Sequence, residues 1–63
     1  MSVMLPRAQL WTVQEVAERL RVSLPMVWKL IYSGELGSVK VGRVRRVSEA
    51  QLSEYVQRLE AAR

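Results

Sequence analysis

Residues 12–36 read TVQEVAERLRVSLPMVWKLIYSGEL, and the spacing of their apolar side chains decides the fold. Val13, Val16, Ala17 and Leu20 recur at i, i+3, i+4 and i+7, which is one stripe of an α-helix. Gln14, Glu15, Glu18 and Arg19 face away from that stripe. Thr12 and Glu15 stand three apart, the spacing of a capping box in which each side chain accepts from a backbone N–H at the helix start. The spacing therefore predicts a helix over Val13–Leu20. Arg21 and Val22 form a short break, and Ser23 is the next N-cap. Pro25 fits only in a first helical turn, where its missing N–H costs nothing. Val27, Leu30 and Ile31 make the buried stripe of this second helix, and Ser33-Gly34 ends it, with Gly34 in the left-handed conformation. At about 100° per residue, the outward face holds Pro25, Lys29 and Tyr32, with Met26 and Trp28 on the flanks.

Outward from this pair the period changes. Residues 38–47, SVKVGRVRRV, alternate β-branched and polar positions around Gly42-Arg43, the signature of a tight hairpin. Two registers are open. A two-residue turn puts Arg46 on the face of Val44, whereas a bulge at Gly42 shifts the alternation. Ser48 and Gln51 form a second capping box, opening a third helix with a stripe of Leu52, Tyr55, Val56 and Leu59 that frays beyond Glu60. The expected core is Val13, Val16, Ala17, Leu20, Val27, Leu30, Ile31, Leu52, Val56 and Leu59. Trp11 is expected to cover it from the N′ side, as staple partner of Val16. The expected fold is mainly α with a small β-hairpin: a winged helix-turn-helix with a C-terminal helix. Its expected organisation is an N-terminal arm over residues 1–10, read as flexible, the domain over 11–60 and a tail over 61–63.

Composition narrows the function. The 63 residues suit one small domain, which buries only about 60 % of its unfolded surface. There is no cysteine, histidine, aspartate or asparagine, and all six acidic residues are glutamates. A disulfide framework and a Cys-based zinc site are thereby excluded, and the commonest general base is missing. The expectation is a protein that is not an enzyme and holds no metal or cofactor. No apolar run exceeds three residues, against the roughly 20 that a spanning helix needs. Residues 1–10 lack the pattern of a signal peptide, so an intracellular, cytoplasmic location with no membrane partner is expected.

Charge is segregated along the chain. Between Arg21 and Ser48, six basic residues (Arg21, Lys29, Lys40, Arg43, Arg45 and Arg46) face Glu35 alone, a local net charge of +5. The remainder carries four arginines against five glutamates, a net −1. An isolated +4 on the whole chain mostly reports solubility. Concentrated on the second helix and the hairpin, the same charge suits a phosphate backbone. In the expected fold, the outer helices hold the second so that one of its faces can enter a major groove.

The stretches WTVQEVAERLRVSLPMVWKLIYSGEL and VKVGRVRRVSEAQLSEYV resemble the excisionase-type, MerR-like winged helix-turn-helix domains of phages and bacteria. The matching positions include Thr12, Glu15 and Ala17 in the first helix, Val22 and Ser23 in the turn, and the aromatic-basic pair Trp28-Lys29. They continue with Gly34-Glu35-Leu36, the wing motif Val41-Gly42-Arg43, then Arg46-Val47 and Leu52. The likeness runs from Leu10 to about Leu59. Two departures stand out: Arg21 occupies a turn position usually held by glycine, and Leu24-Pro25 stands where Arg and Ser are common. Either Arg21 accepts an unusual backbone or the turn differs. Leu24 and Pro25 form no bidentate bonds to base edges, so wing, phosphate contacts and DNA shape are expected to carry more of the selectivity.

The candidate DNA-binding residues are Ser23, Pro25, Trp28, Lys29, Tyr32, Lys40, Arg43, Arg45 and Arg46. Lys29 is placed at a base or phosphate, Arg43 at the minor groove from the wing tip, and Arg45 or Arg46 at phosphate, the other free to pair with a scaffold glutamate. Ser23 is a cap first and a phosphate donor second. Trp28 either packs against the wing or meets DNA; Tyr32 either donates to phosphate or covers the helix end. The resemblance implies a phage excisionase, a recombination directionality factor. Such a protein binds attachment-site DNA in several cooperative copies, bends it and directs an integrase toward excision, with no small-molecule partner. A stand-alone transcriptional regulator is the alternative within this fold, and an adaptor for an acidic protein the alternative outside it.

Overall fold

A computed structural model describes residues 9–62. Six elements follow in order: β1 (Leu10–Thr12), α1 (Val13–Leu20), α2 (Leu24–Ser33), β2 (Val39–Val41), β3 (Val44–Ser48) and α3 (Glu49–Ala61). The expected helices and wing are all present. The sheet, however, has three antiparallel strands in the order β1-β3-β2 where a two-stranded hairpin was expected. The extra strand begins at Leu10, inside the segment read as an arm. Residues 1–8 and 63, the rest of the expected arm and the end of the expected tail, lie outside the described residues.

Two strands run directly into helices through their caps. Thr12 closes β1 and caps α1 with extended backbone, its hydroxyl accepting from the Glu15 N–H while the Glu15 carboxylate accepts from the Thr12 N–H. Ser48 closes β3 and caps α3 by the same reciprocal pair with Gln51. Residues with β-region dihedrals and a short acceptor side chain satisfy both roles, so no connecting loop is needed. β1 pairs with β3 through Leu10↔Ser48, Trp11↔Val47 and Thr12↔Arg46. Trp11 thus lies opposite the fully buried Val47. Its indole Nε1 donates to the Glu49 carboxylate at 2.7 Å, and the Arg19 guanidinium sits 4.7 Å from the ring centroid. One tryptophan ties the first strand to the ends of two helices, a polar and cationic role beyond the apolar covering expected of it.

The turn between α1 and α2 answers the question raised by Arg21. Its backbone is left-handed, at φ 61° and ψ 43°. The Val22 N–H donates to the Ala17 carbonyl and the Arg21 N–H to that of Glu18, the pair of bonds that terminates a helix in a Schellman motif. Gly34 ends α2 in the same region at φ 86°. Beyond it the Leu36 N–H donates to the Leu30 carbonyl at 3.1 Å, folding the chain back and driving Leu36 into the interior.

Buried residues from every helix, from β3 and from that loop form the core: Val13, Val16, Ala17, Val27, Leu30, Ile31, Leu36, Val47, Leu52 and Tyr55. Three expected members differ. Leu20 and Val56 are only half-buried, and Leu59 is 49 % exposed. The buried stripe of α3 stops after its second turn, at Leu52 and Tyr55, and Leu59 lies one turn further on, beside Glu35 and Arg58 at the rim of a shallow surface depression. Among the described residues, no helix is long and apolar enough to cross a membrane.

Candidate nucleic-acid interface

The wing register settles which side chains share a face. Val41↔Val44, Lys40↔Arg45 and Val39↔Arg46 are paired, leaving Gly42-Arg43 as a two-residue turn. Gly42 has φ 62° and Arg43 is not left-handed, the φ pattern of a type II′ hairpin turn. Of the two registers open in the sequence, the direct one is adopted. By alternation Lys40 and Arg45 share the face of Val47, while Arg46 shares the face of Val39, Val41 and Val44.

α2 lies beside the wing with its stripe of Val27, Leu30 and Ile31 buried. Trp28 is half-buried against the core, and Tyr32, four residues on, is 76 % exposed. Their rings stack with centroids 5.6 Å apart and planes at 25°, as helical i,i+4 spacing allows. Between helix and wing opens a cleft of about 460 Å³. Trp28 and Tyr32 line it from the helix, and Lys40, Arg43, Arg45 and Arg46 from the wing. No glutamate contributes to its wall. Six of the nine candidate residues therefore meet around one concavity. The other three, Ser23, Pro25 and Lys29, lie on the exposed surface of α2 outside that lining.

Each wall residue has a physical reason for its place. The Arg45 guanidinium donates to the Ser38 hydroxyl at 3.4 Å, and the Arg46 guanidinium donates to the Arg45 carbonyl at 3.0 Å. These partners replace the scaffold glutamate considered for one of them. A guanidinium has five N–H donors, so each arginine retains donors for an anion. Ser23 caps α2 by accepting from the Met26 N–H at 3.2 Å; its hydroxyl proton stays available. Lys29 and Arg43 are exposed. Ser38 went unnoticed in the sequence as a support for Arg45, since only cross-strand register brings residues seven apart together. The Trp28–Tyr32 stack, by contrast, had a visible signal in its four-residue spacing.

A positive, partly aromatic concavity with a free helix face beside it can hold a phosphate backbone and stack or wedge against a polyanion's apolar edges. Among the described residues no group of three or more His, Cys, Asp or Glu is placed to hold a metal ion.

Comparison with known proteins is consistent with that geometry. The helix-turn-helix domain family matches residues 12–60. A Saccharopolyspora erythraea protein named "Probable excisionase" is 39 % identical over 55 residues, covering 87 % of this chain and 56 % of the relative. A Mycobacterium tuberculosis protein, named as a candidate DNA-binding protein and found in two strains, is 51 % identical over 41 residues, 65 % of this chain and 53 % of the relative. The chain thus spans about half the length of the curated relatives it matches. No solved structure matches it.

Proposed function

The chain belongs to the helix-turn-helix domain family, and from that premise we propose that it is a DNA-binding architectural protein of the excisionase class. α2 enters the major groove, with Lys29 and Pro25 on the leading face and Tyr32 near the phosphates. The wing follows the adjacent backbone, Arg43 reaching toward the minor groove and Lys40, Arg45 and Arg46 meeting phosphate. Several copies side by side on attachment-site DNA bend it and direct an integrase toward excision.

The observation that carries this reading is the cleft, in which four wing cations and two stacked aromatics from α2 converge with no acidic residue on its wall. The excision role rests on the named Saccharopolyspora relative. The second reading, a transcriptional regulator, draws on the Mycobacterium relative, whose name specifies DNA binding alone.

Fluorescence anisotropy with attachment-region duplex DNA at a series of salt concentrations tests the proposal. Log K falls by about 0.9 per neutralised phosphate for each decade of salt. With Lys29, Lys40, Arg43, Arg45 and Arg46 engaged, the expected slope is about −4 to −5. Absence of binding at low salt overturns DNA recognition. An excision assay with the cognate recombinase separates the two roles: removal of the protein blocks excision in the first and alters only transcript levels in the second.

A further inference from the structure

Leu24, Pro25 and Met26 form the first turn of α2, and none of them joins the core. Leu24 is 42 % exposed, Met26 is 41 % exposed, and Pro25 is exposed as well. Burying these side chains does not hold the helix in place, and no hydrogen-bonding side chain occupies any of the three positions. The Ser23 hydroxyl just before them already accepts from the Met26 N–H. Along the helix, Leu24 stands one turn ahead of Trp28 and Pro25 one turn ahead of Lys29. The apolar turn is thus continuous with the aromatic and cationic side of α2 that borders the cleft.

Such a surface cannot address the donors and acceptors of guanine, adenine or cytosine. The major groove offers one apolar group, the C5-methyl of thymine. We propose that Leu24 and Pro25 read thymine methyl groups, so that α2 selects thymine by apolar contact where a hydrogen-bonding helix would select guanine or adenine. This inference rests on α2 being the major-groove helix. The occupant is duplex DNA because Lys29 stands one turn along from Pro25, and the cleft bordered by Trp28, one turn along from Leu24, carries Lys40, Arg43 and Arg45 on its other wall, a charge pattern complementary to phosphate.

Four alternating duplexes of equal length serve as probes in low-salt anisotropy titrations: d(AT), d(AU), d(IC) and d(I-5-methyl-C). Within each pair the minor groove and every hydrogen-bonding group are the same, and only the C5-methyl differs. Burial of one methyl corresponds to about a fourfold change in affinity. Wild type is expected to bind d(AU) about 4- to 16-fold more weakly than d(AT) and to gain similarly when cytosine is methylated. The Leu24→Ala/Pro25→Ala double variant should show ratios near one, with Leu24→Ala alone intermediate and helical circular dichroism retained in both.

Binding to all probes with wild-type ratios of one overturns the inference and leaves DNA binding intact; it is also the outcome if this turn docks a protein instead. Wild-type ratios surviving in the double variant overturn it too, since the methyls then act through duplex stiffness. Failure to bind any probe overturns the DNA reading itself.

Discussion

Replacing Arg21 by glycine is expected to stabilise the domain, although it removes a charged side chain from the turn of the helix pair. Arg21 is held at φ 61° and ψ 43°, where an L-residue costs about 1–2 kcal/mol through contact of its Cβ with the following carbonyl. Glycine escapes that contact but loses about 0.5–1 kcal/mol in additional backbone entropy on folding. The net gain is about 0.7 kcal/mol, or about 3–6 °C in Tm for a domain of this size. The terminating bonds use backbone atoms only, Val22 N–H to Ala17 carbonyl and Arg21 N–H to Glu18 carbonyl, so they survive the substitution. The Arg21 side chain is exposed and contributes nothing to the core. Arg21→Ala is the control, because it deletes the guanidinium yet keeps the Cβ in the left-handed region. Thermal and urea unfolding followed by far-ultraviolet circular dichroism reads all three proteins. If Arg21→Gly is no more stable than Arg21→Ala, backbone strain does not reside at this turn.

Gly34 and Gly42 are the converse cases: both have positive φ, and a Cβ at either meets nothing within 4 Å. Gly34→Ala and Gly42→Ala should each destabilise by about 1 kcal/mol from backbone strain alone, a cost that the same unfolding curves measure. Leu36→Ala removes a side chain only 1 % exposed and should cost about 2–5 kcal/mol. Against a total stability of about 3–9 kcal/mol that is a large fraction, so Tm should fall by at least about 8 °C, visible in the same unfolding curves. Lys29→Ala and Arg43→Ala alter exposed side chains, so each should weaken DNA binding, lower the salt slope by about 0.9 and leave Tm unchanged. Unaltered affinity in both would refute the proposed docking.

The helices were legible because their determinants are local. Thr12 with Glu15, Ser48 with Gln51, Ser23 before Pro25, and Gly34 after Ser33 act over one turn or less. Three of the misplaced residues, two buried without being expected in the core and one expected there but exposed, show where such reasoning stops. Val47 lies in a strand whose inward face depends on hairpin register. Leu36 is buried by a backbone bond six residues back to Leu30, a contact with no periodic signature. Leu59 continued a regular stripe and is nevertheless exposed, because periodicity marks a face without saying how far the neighbouring elements extend along it. β1 was hidden for a related reason. Three residues ending in an N-cap carry little alternation, and their strand character comes from pairing with β3, 36 residues away at the Trp11↔Val47 contact.

The candidate interface divides along the same line. Charge segregation, the outward face of α2 and the Gly42-Arg43 turn are all written in the order of residues, since each depends on type and near spacing. What the tertiary structure decided is convergence. It brought the aromatics of α2 and the cations of the wing to one cleft, turned Lys40 and Arg45 to the face of Val47, and gave Arg45 its Ser38 support. It also left Leu24 and Pro25 uncovered at the leading end of α2. Caps and stripes are fixed by interactions within a few residues. Register, burial depth and the meeting of helix with wing depend on contacts between distant segments, and those exist only once the chain has closed around Val16, Val27, Leu36 and Val47.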